Sequence, residues 1–200
     1  MTMSIDIDSA WQELRERVKH CTKCPLCKTR HNTVFGEGPV NAKCVIIGEG
    51  PGEEEDMSGR PFVGRAGQLL TDILEKGGRI PRESVYIMNV VKCRPPGNRN
   101  PMLDEIRKCS EHFEAQLALL HPDIIVTMGN IATQSLTGLK TGITSMRGKW
   151  LNHRGVRIFP MYHPSYLLRT EGDKSESGPK YLTWKDIQEL KAELDRLHQS

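Results

Sequence analysis

At 200 residues the chain fits one α/β domain spanning 1–200, which buries about 70% of the surface its unfolded form exposes and needs no disulfide staples. A formal charge of +3 permits a nucleic-acid partner without demanding one. There is no N-terminal apolar h-region and no run of about 18 apolar residues, so these signals mark neither export nor a membrane span; the expected compartment is the cytoplasm.

In chain order, a first helix is marked by Asp8-Ser9 as caps and by Trp11, Leu14 and Val18 at helical spacing; it delivers Cys21. The apolar run 44–47 predicts a strand that enters a Gly-Glu-Gly-Pro-Gly turn, and a helix over 64–76 follows with Ala66, Leu69, Leu70, Ile73 and Leu74 on one face. A strand over 85–91 leads into a Pro-rich loop. The next helix has Asn100 as N-cap, Pro101 at its first position and Asp104-Glu105 in its first turn. A strand over 123–128, a short helix from Asn130, the glycine-spaced segment 141–149 and a last strand over 156–161 come next. The polar stretch 172–179 reads as a mobile loop, and a final helix capped by Thr183 carries Trp184, Ile187, Leu190, Leu194 and Leu197 on one side. Strands alternating with helices predict a three-layer α/β/α fold around a mostly parallel, four-stranded sheet.

Unusual residues fall at the carboxyl ends of these strands, where open α/β sheets bind ligands. The glycines of the first turn let backbone approach a substrate closely. Asn89 interrupts an apolar strand, Gly129-Asn130 follows another, and His163-Pro164 follows a third. Neighbouring strands would bring them together.

Six cysteines in a reducing compartment favour a metal site over a disulfide framework. Cys21-Thr-Lys-Cys24 is one chelating pair, and Cys93 and Cys109 bracket the Pro-rich loop with fifteen residues between them. Four thiolates suit tetrahedral zinc as well as a [4Fe–4S] cluster, and the spacing alone leaves both open. Cys27 extends the first pair as a competing ligand, whereas Cys44 reads as a small buried hydrophobe within a strand.

Four motifs, in order, resemble the family 4 uracil-DNA glycosylases, the iron–sulfur members of that superfamily. They are Gly48-Glu-Gly-Pro-Gly-Glu-Glu-Glu-Asp56, Gly59-Arg-Pro-Phe-Val-Gly-Arg-Ala-Gly-Gln-Leu-Leu70, Asn89-Val-Val-Lys-Cys-Arg-Pro-Pro96 and His163-Pro-Ser-Tyr-Leu-Leu-Arg169. The resemblance runs from Cys21 to the final helix. It implies a [4Fe–4S] cluster on Cys21, Cys24, Cys93 and Cys109, which decides against zinc; Cys27 is outside the family's usual ligand set.

It also implies a monomeric enzyme that flips uracil out of single- or double-stranded DNA and cuts its N-glycosidic bond. Phe62 would stack on the base, Asn89 would accept from N3–H while donating to O4, and His163 would donate to O2, where charge develops. Glu55 would close the side that a thymine methyl needs. Gly50 stands where the best-known branch has a water-activating Asp, leaving Glu49 as the nearest general base unless water adds late to an oxocarbenium-like sugar. Leu167 or Leu168 would wedge into the vacated space. Arg147, Lys149 and Arg169, with Arg94 and Arg99, would neutralise phosphates.

Three rivals compete. An Mg²⁺ and phosphate site lacks the G-K-[ST] that should follow the glycines. A cluster-bearing DNA-binding module would bind without turnover. A covalent relative traps itself on DNA through an inserted basic loop ending in His, and the loop Arg94-Pro-Pro-Gly-Asn-Arg99 lacks that insertion.

Overall fold

The computed structural model describes residues 6–170, 172–173 and 175–199. Its elements are α1 (Ile7–Lys19), β1 (Cys44–Gly48), α2 (Glu53–Ser58), α3 (Arg65–Asp72), β2 (Tyr86–Asn89), α4 (Leu103–Leu120) and β3 (Ile124–Met128). There follow α5 (Gly129–Thr137), α6 (Ile143–Met146), β4 (Leu151–His153), β5 (Val156–Met161), α7 (Pro164–Arg169) and α8 (Pro179–Gln199).

The sheet runs in the order β2-β1-β3-β5-β4. The first four strands are parallel, with Gly48 opposite Asn89 and Met128 opposite Met161. Alternation along each strand feeds two cores. Val45, Ile47, Met88 and Ile125 face Trp11, Leu14 and Val18 of α1 and Phe113 of α4. Cys44, Ile46, Val126 and Phe159 face Leu70 and Leu74 on the other side, with Ile187, Leu190 and Leu194 of α8. These are the three layers expected from the strand and helix order.

Among the described residues the sheet has five strands rather than four. The added β4 pairs antiparallel with β5 through the two-residue turn Arg154-Gly155, both at positive φ (50° and 84°). It is three residues long and its burial is intermediate or exposed, so it lacks the apolar run that marks a buried strand.

Helix starts also differ. Asp6 is the N-cap of α1, its carboxylate accepting from Asp8 N–H at 3.2 Å. Asn100 and Pro101 stay outside α4, which begins after Met102; Glu105 reaches back to the Met102 N–H at 2.7 Å. The Thr183 hydroxyl donates to the Pro179 carbonyl inside α8 instead of capping it. The helix expected over 64–76 is α3 followed by a π-helical turn, Ile73–Gly77. Within the stretch 172–179 expected to be a mobile loop, Lys174 lies outside the described residues, as does the preceding Glu171.

Candidate active site

β1, β2, β3 and β5 end together, and the segments leaving them surround a cleft of about 870 Å³, a volume in the range that encloses a small ligand. Glu49, Gly50, Glu55, Phe62, Asn89 and His163 all line it, so the residues singled out at separate strand ends share one space. Gly129 and Asn130 line it as well. One wall comes from the Pro-rich loop, through Pro95 and Asn98.

Asn89 closes β2 and is 1% exposed, yet its Oδ1 has no hydrogen-bond partner among the described residues. A buried acceptor without a partner is costly, and in a cleft it marks where a ligand donor belongs. Gly48, directly opposite in the sheet, keeps that space open. A Cβ there would lie 2.4 Å from Asn89 Oδ1 and 2.5 Å from Phe62 Cζ.

Phe62 is buried at φ 51°, a left-handed conformation that is strained for an aromatic residue and persists only when its surroundings enforce it. Glu55 enforces it from one side. Its Oε1 accepts from Val63 and Gly64 N–H at 2.8 and 2.9 Å, and its Oε2 accepts from Gly52 N–H at 3.1 Å. Gly67 permits it from the other, since a Cβ there would lie 2.0 Å from the Phe62 carbonyl carbon. The Phe62 and His163 rings are 5.8 Å apart at 35°.

His163 is the N-cap of α7. Its Nδ1 accepts from Ser165 N–H at 3.1 Å and lies 2.8 Å from the Ser165 hydroxyl. Nδ1 is therefore an acceptor, and the neutral ring carries its proton on Nε2. Burial, reinforced by the Arg169 cation and opposed by Glu55, pushes the His163 pKa down to about 4. Glu49 is half-buried, and its carboxyl makes no hydrogen bond or ion pair with the described residues; burial raises its pKa.

The basic residues divide sharply. Arg147 is paired with Asp186 of α8 and also donates to the Leu182 carbonyl. Arg94 donates to Asn98 and approaches Glu53, and Arg99 forms a two-pronged bridge to Glu105 at 2.8 and 2.7 Å. Lys149 and Arg169 are exposed and pair with no carboxylate among the described residues. Arg169 lies on the cleft rim. Leu167 is 1% exposed and packs inward, so only Leu168 of that pair, half-buried, has any exposed surface.

A second, smaller space gathers Cys21, Cys24, Cys27, Cys93 and Cys109. Among the described residues no three His, Cys, Asp or Glu side chains form a ready cage for a single metal ion. Arg30 Nη1 donates to Cys93 Sγ at 3.1 Å. His112, 3% exposed on the same space, has neither ring nitrogen bonded to any of the described residues. Cys44 stands apart, buried in β1, and burial pushes its thiol up to about 12.

Ser165, Lys92, Arg30 and His112 were not singled out by the sequence reading. The adjacency of Ser165 to His163-Pro164 was the available signal for the first, because Ser at the start of a helix commonly bonds back to the cap residue. The others become visible only through long-range packing.

The family model of the uracil DNA glycosylase superfamily matches residues 35–188. A type-4 uracil-DNA glycosylase of Thermotoga maritima is 51% identical over 163 residues, covering 80% of this chain and 83% of the relative. Type-4 enzymes of Saccharolobus solfataricus and Sulfurisphaera tokodaii are 44% and 42% identical, each over 78% of this chain and 76% and 75% of their own lengths. The chain belongs to the uracil DNA glycosylase superfamily, in its type-4 branch.

Proposed function

We propose that this chain is a monofunctional uracil-DNA glycosylase of base excision repair, acting on single- or double-stranded DNA as a cytoplasmic monomer. The carrying observation is the orphaned Asn89 Oδ1, buried beside Phe62 in an open cleft. Uracil presents an N3–H donor between two carbonyl oxygens. Asn89 Oδ1 accepts that N3–H, and its amide N–H donates to O4. Cytosine carries an acceptor at N3 and a donor at C4, so both contacts would be unpaired or repulsive, which is how a buried polar site rejects an analogue strongly.

The flipped base lies against Phe62, a contact worth about 1–3 kcal/mol for a stacked base. The neutral His163 donates Nε2–H to uracil O2, where negative charge grows as the glycosidic bond lengthens. A low pKa suits this role, because a neutral donor needs no bulk protonation at pH 7. Water then adds to C1′ of the sugar with Glu49 as the nearest base, giving free uracil and an abasic site. Glu55 acts through the main chain it holds, fixing the wall at Val63 and Gly64 against a 5-methyl group. Arg169 and Lys149 supply phosphate contacts and Leu168 the wedge.

Cys21, Cys24, Cys93 and Cys109 would hold a [4Fe–4S] cluster, which ties the N-terminal segment to the Pro-rich loop and to α4. The surrounding residues fit such a group. A cluster with four thiolates is net negative and rich in acceptor sulfurs; Arg30 already donates to Cys93 Sγ, and His112 offers a ring that bonds to none of the described residues. Replacing Asn89 with Asp tests the base-reading assignment: excision of uracil should fall at least about 100-fold, and an unimpaired variant would remove that role from Asn89.

A further inference from the structure

Lys92 is fully buried, and it sits between the base-reading strand and the cysteine loop. Its side chain folds back so that Nζ donates to the Asn89 main-chain carbonyl at 2.8 Å. No carboxylate among the described residues pairs with it, and its Nζ lies 5.9 Å from the centroid of the Phe113 ring. A lysine in such a place is unfavourable unless its donor does something an apolar side chain cannot.

The surrounding main chain indicates what that is. Beyond Asn89 the strand ladder gives way to two bonds into the first glycine turn, Val90 N–H to the Gly48 carbonyl at 3.0 Å and Val91 N–H to the Glu49 carbonyl at 3.2 Å. The Lys92 carbonyl accepts from Val34 N–H at 2.8 Å, and its N–H approaches the Cys109 thiol. The segment 89–92 thus joins the cleft at one end to Cys93 and Cys109 at the other. The Lys92 amine closes it into a loop pinned at Asn89.

We propose that Lys92 is a positioning residue for uracil excision: by holding the Asn89 carbonyl it orients the Asn89 amide that reads the base, and it couples the cysteine loop to that reader. The contact works whether the amine is charged or neutral, since both forms donate. The inference builds on the glycosylase reading above.

Lys92→Met keeps the length and apolar stem and removes the donor; Lys92→Arg keeps a donor. In the Met variant, iron content, visible cluster absorption and DNA affinity should match the parent. Its single-turnover excision of uracil should fall about 10- to 100-fold, the scale for a reacting group displaced by an ångström. With DNA affinity unchanged, the loss falls on kcat and leaves KM alone. Hydrogen exchange at Val90 and Val91 should be faster in the Met variant, and the Arg variant should recover most of both properties. A Met variant with parental excision rate and exchange would overturn the proposal. So would loss of iron in parallel with activity in both variants, which would make Lys92 a support for the cluster alone. A parent without any excision would overturn the glycosylase reading itself; the exchange comparison needs no substrate and keeps that outcome separate from an absent pin.

Discussion

The Ser165 main-chain N–H donates to His163 Nδ1 at 3.1 Å, and this one bond fixes which nitrogen of His163 faces outward with a proton. Burial, with the Arg169 cation nearby, keeps the ring neutral, with a pKa of about 4. Because the native state resists a proton that the unfolded chain accepts near its usual 6.5, the unfolded state binds more protons between those values. Stability is therefore lost as pH falls from about 6.5 to about 4. Urea unfolding of the parent and of His163→Gln across that range should show the parent losing more, by up to about 3 kcal/mol. Parallel curves would remove the depressed pKa.

Glu49 has the opposite sign. Burial raises its pKa, so between the usual carboxylate value and the raised one the folded protein holds the extra proton and stability declines as pH rises. Glu49→Gln should raise Tm at pH 7 and lose that advantage in acid. If Glu49 activates water, the same change should lower excision and abolish the rise of the single-turnover rate as pH climbs through its pKa. A variant whose acid limb survives would show that another group, or late unassisted water attack, governs that step.

Gly48→Ala places a methyl where Asn89 Oδ1 and Phe62 Cζ now converge, at 2.4 and 2.5 Å from its Cβ. Neither neighbour is free to yield, since one closes a strand and the other is held by Glu55. Excision should drop about 100-fold or more through a displaced reading group, while binding to uracil-free DNA, a phosphate property, should change little. Parental excision in Gly48→Ala would contradict the placement of the base between these two residues.

Lys149 and Arg169 are exposed cations of the predicted DNA face that pair with no carboxylate among the described residues, whereas Arg147 is held by Asp186. Lys149→Ala and Arg169→Ala should each reduce the slope of log affinity against log salt by about 1. Arg147→Ala should instead lower Tm, because it leaves the buried Asp186 carboxylate without its partner. A salt slope that moves with Arg147 and not with the other two would reverse this division.

The sheet was readable in advance because its four parallel strands are apolar runs that end in Gly, Asn or a His-Pro step, a pattern with few alternatives. β4 was not, being a polar three-residue hairpin arm whose existence depends on pairing with β5. Helix starts were misplaced where cap-forming residue types stood near the true boundary: Asn100 and Thr183 are good caps by type, but Glu105 reaching back to Met102 and the entry at Pro179 set the actual ends. The cleft residues were legible for a related reason, since polar residues at the ends of apolar strands have few other uses. Charge partners were not legible. Arg147 and Asp186 are 39 residues apart, and nothing local distinguishes Arg147 from Arg169; Leu167, apolar beside a loop, packs inward through contacts that no local pattern shows.

The most direct test is base release from a labelled oligonucleotide with a single uracil, followed by alkaline cleavage at abasic sites, beside matched cytosine and thymine strands. Repeated turnover on uracil alone, with free uracil as product, is the result expected of this site. Tight binding that leaves the uracil strand intact, or a denaturant-resistant protein–DNA adduct in place of turnover, would contradict it.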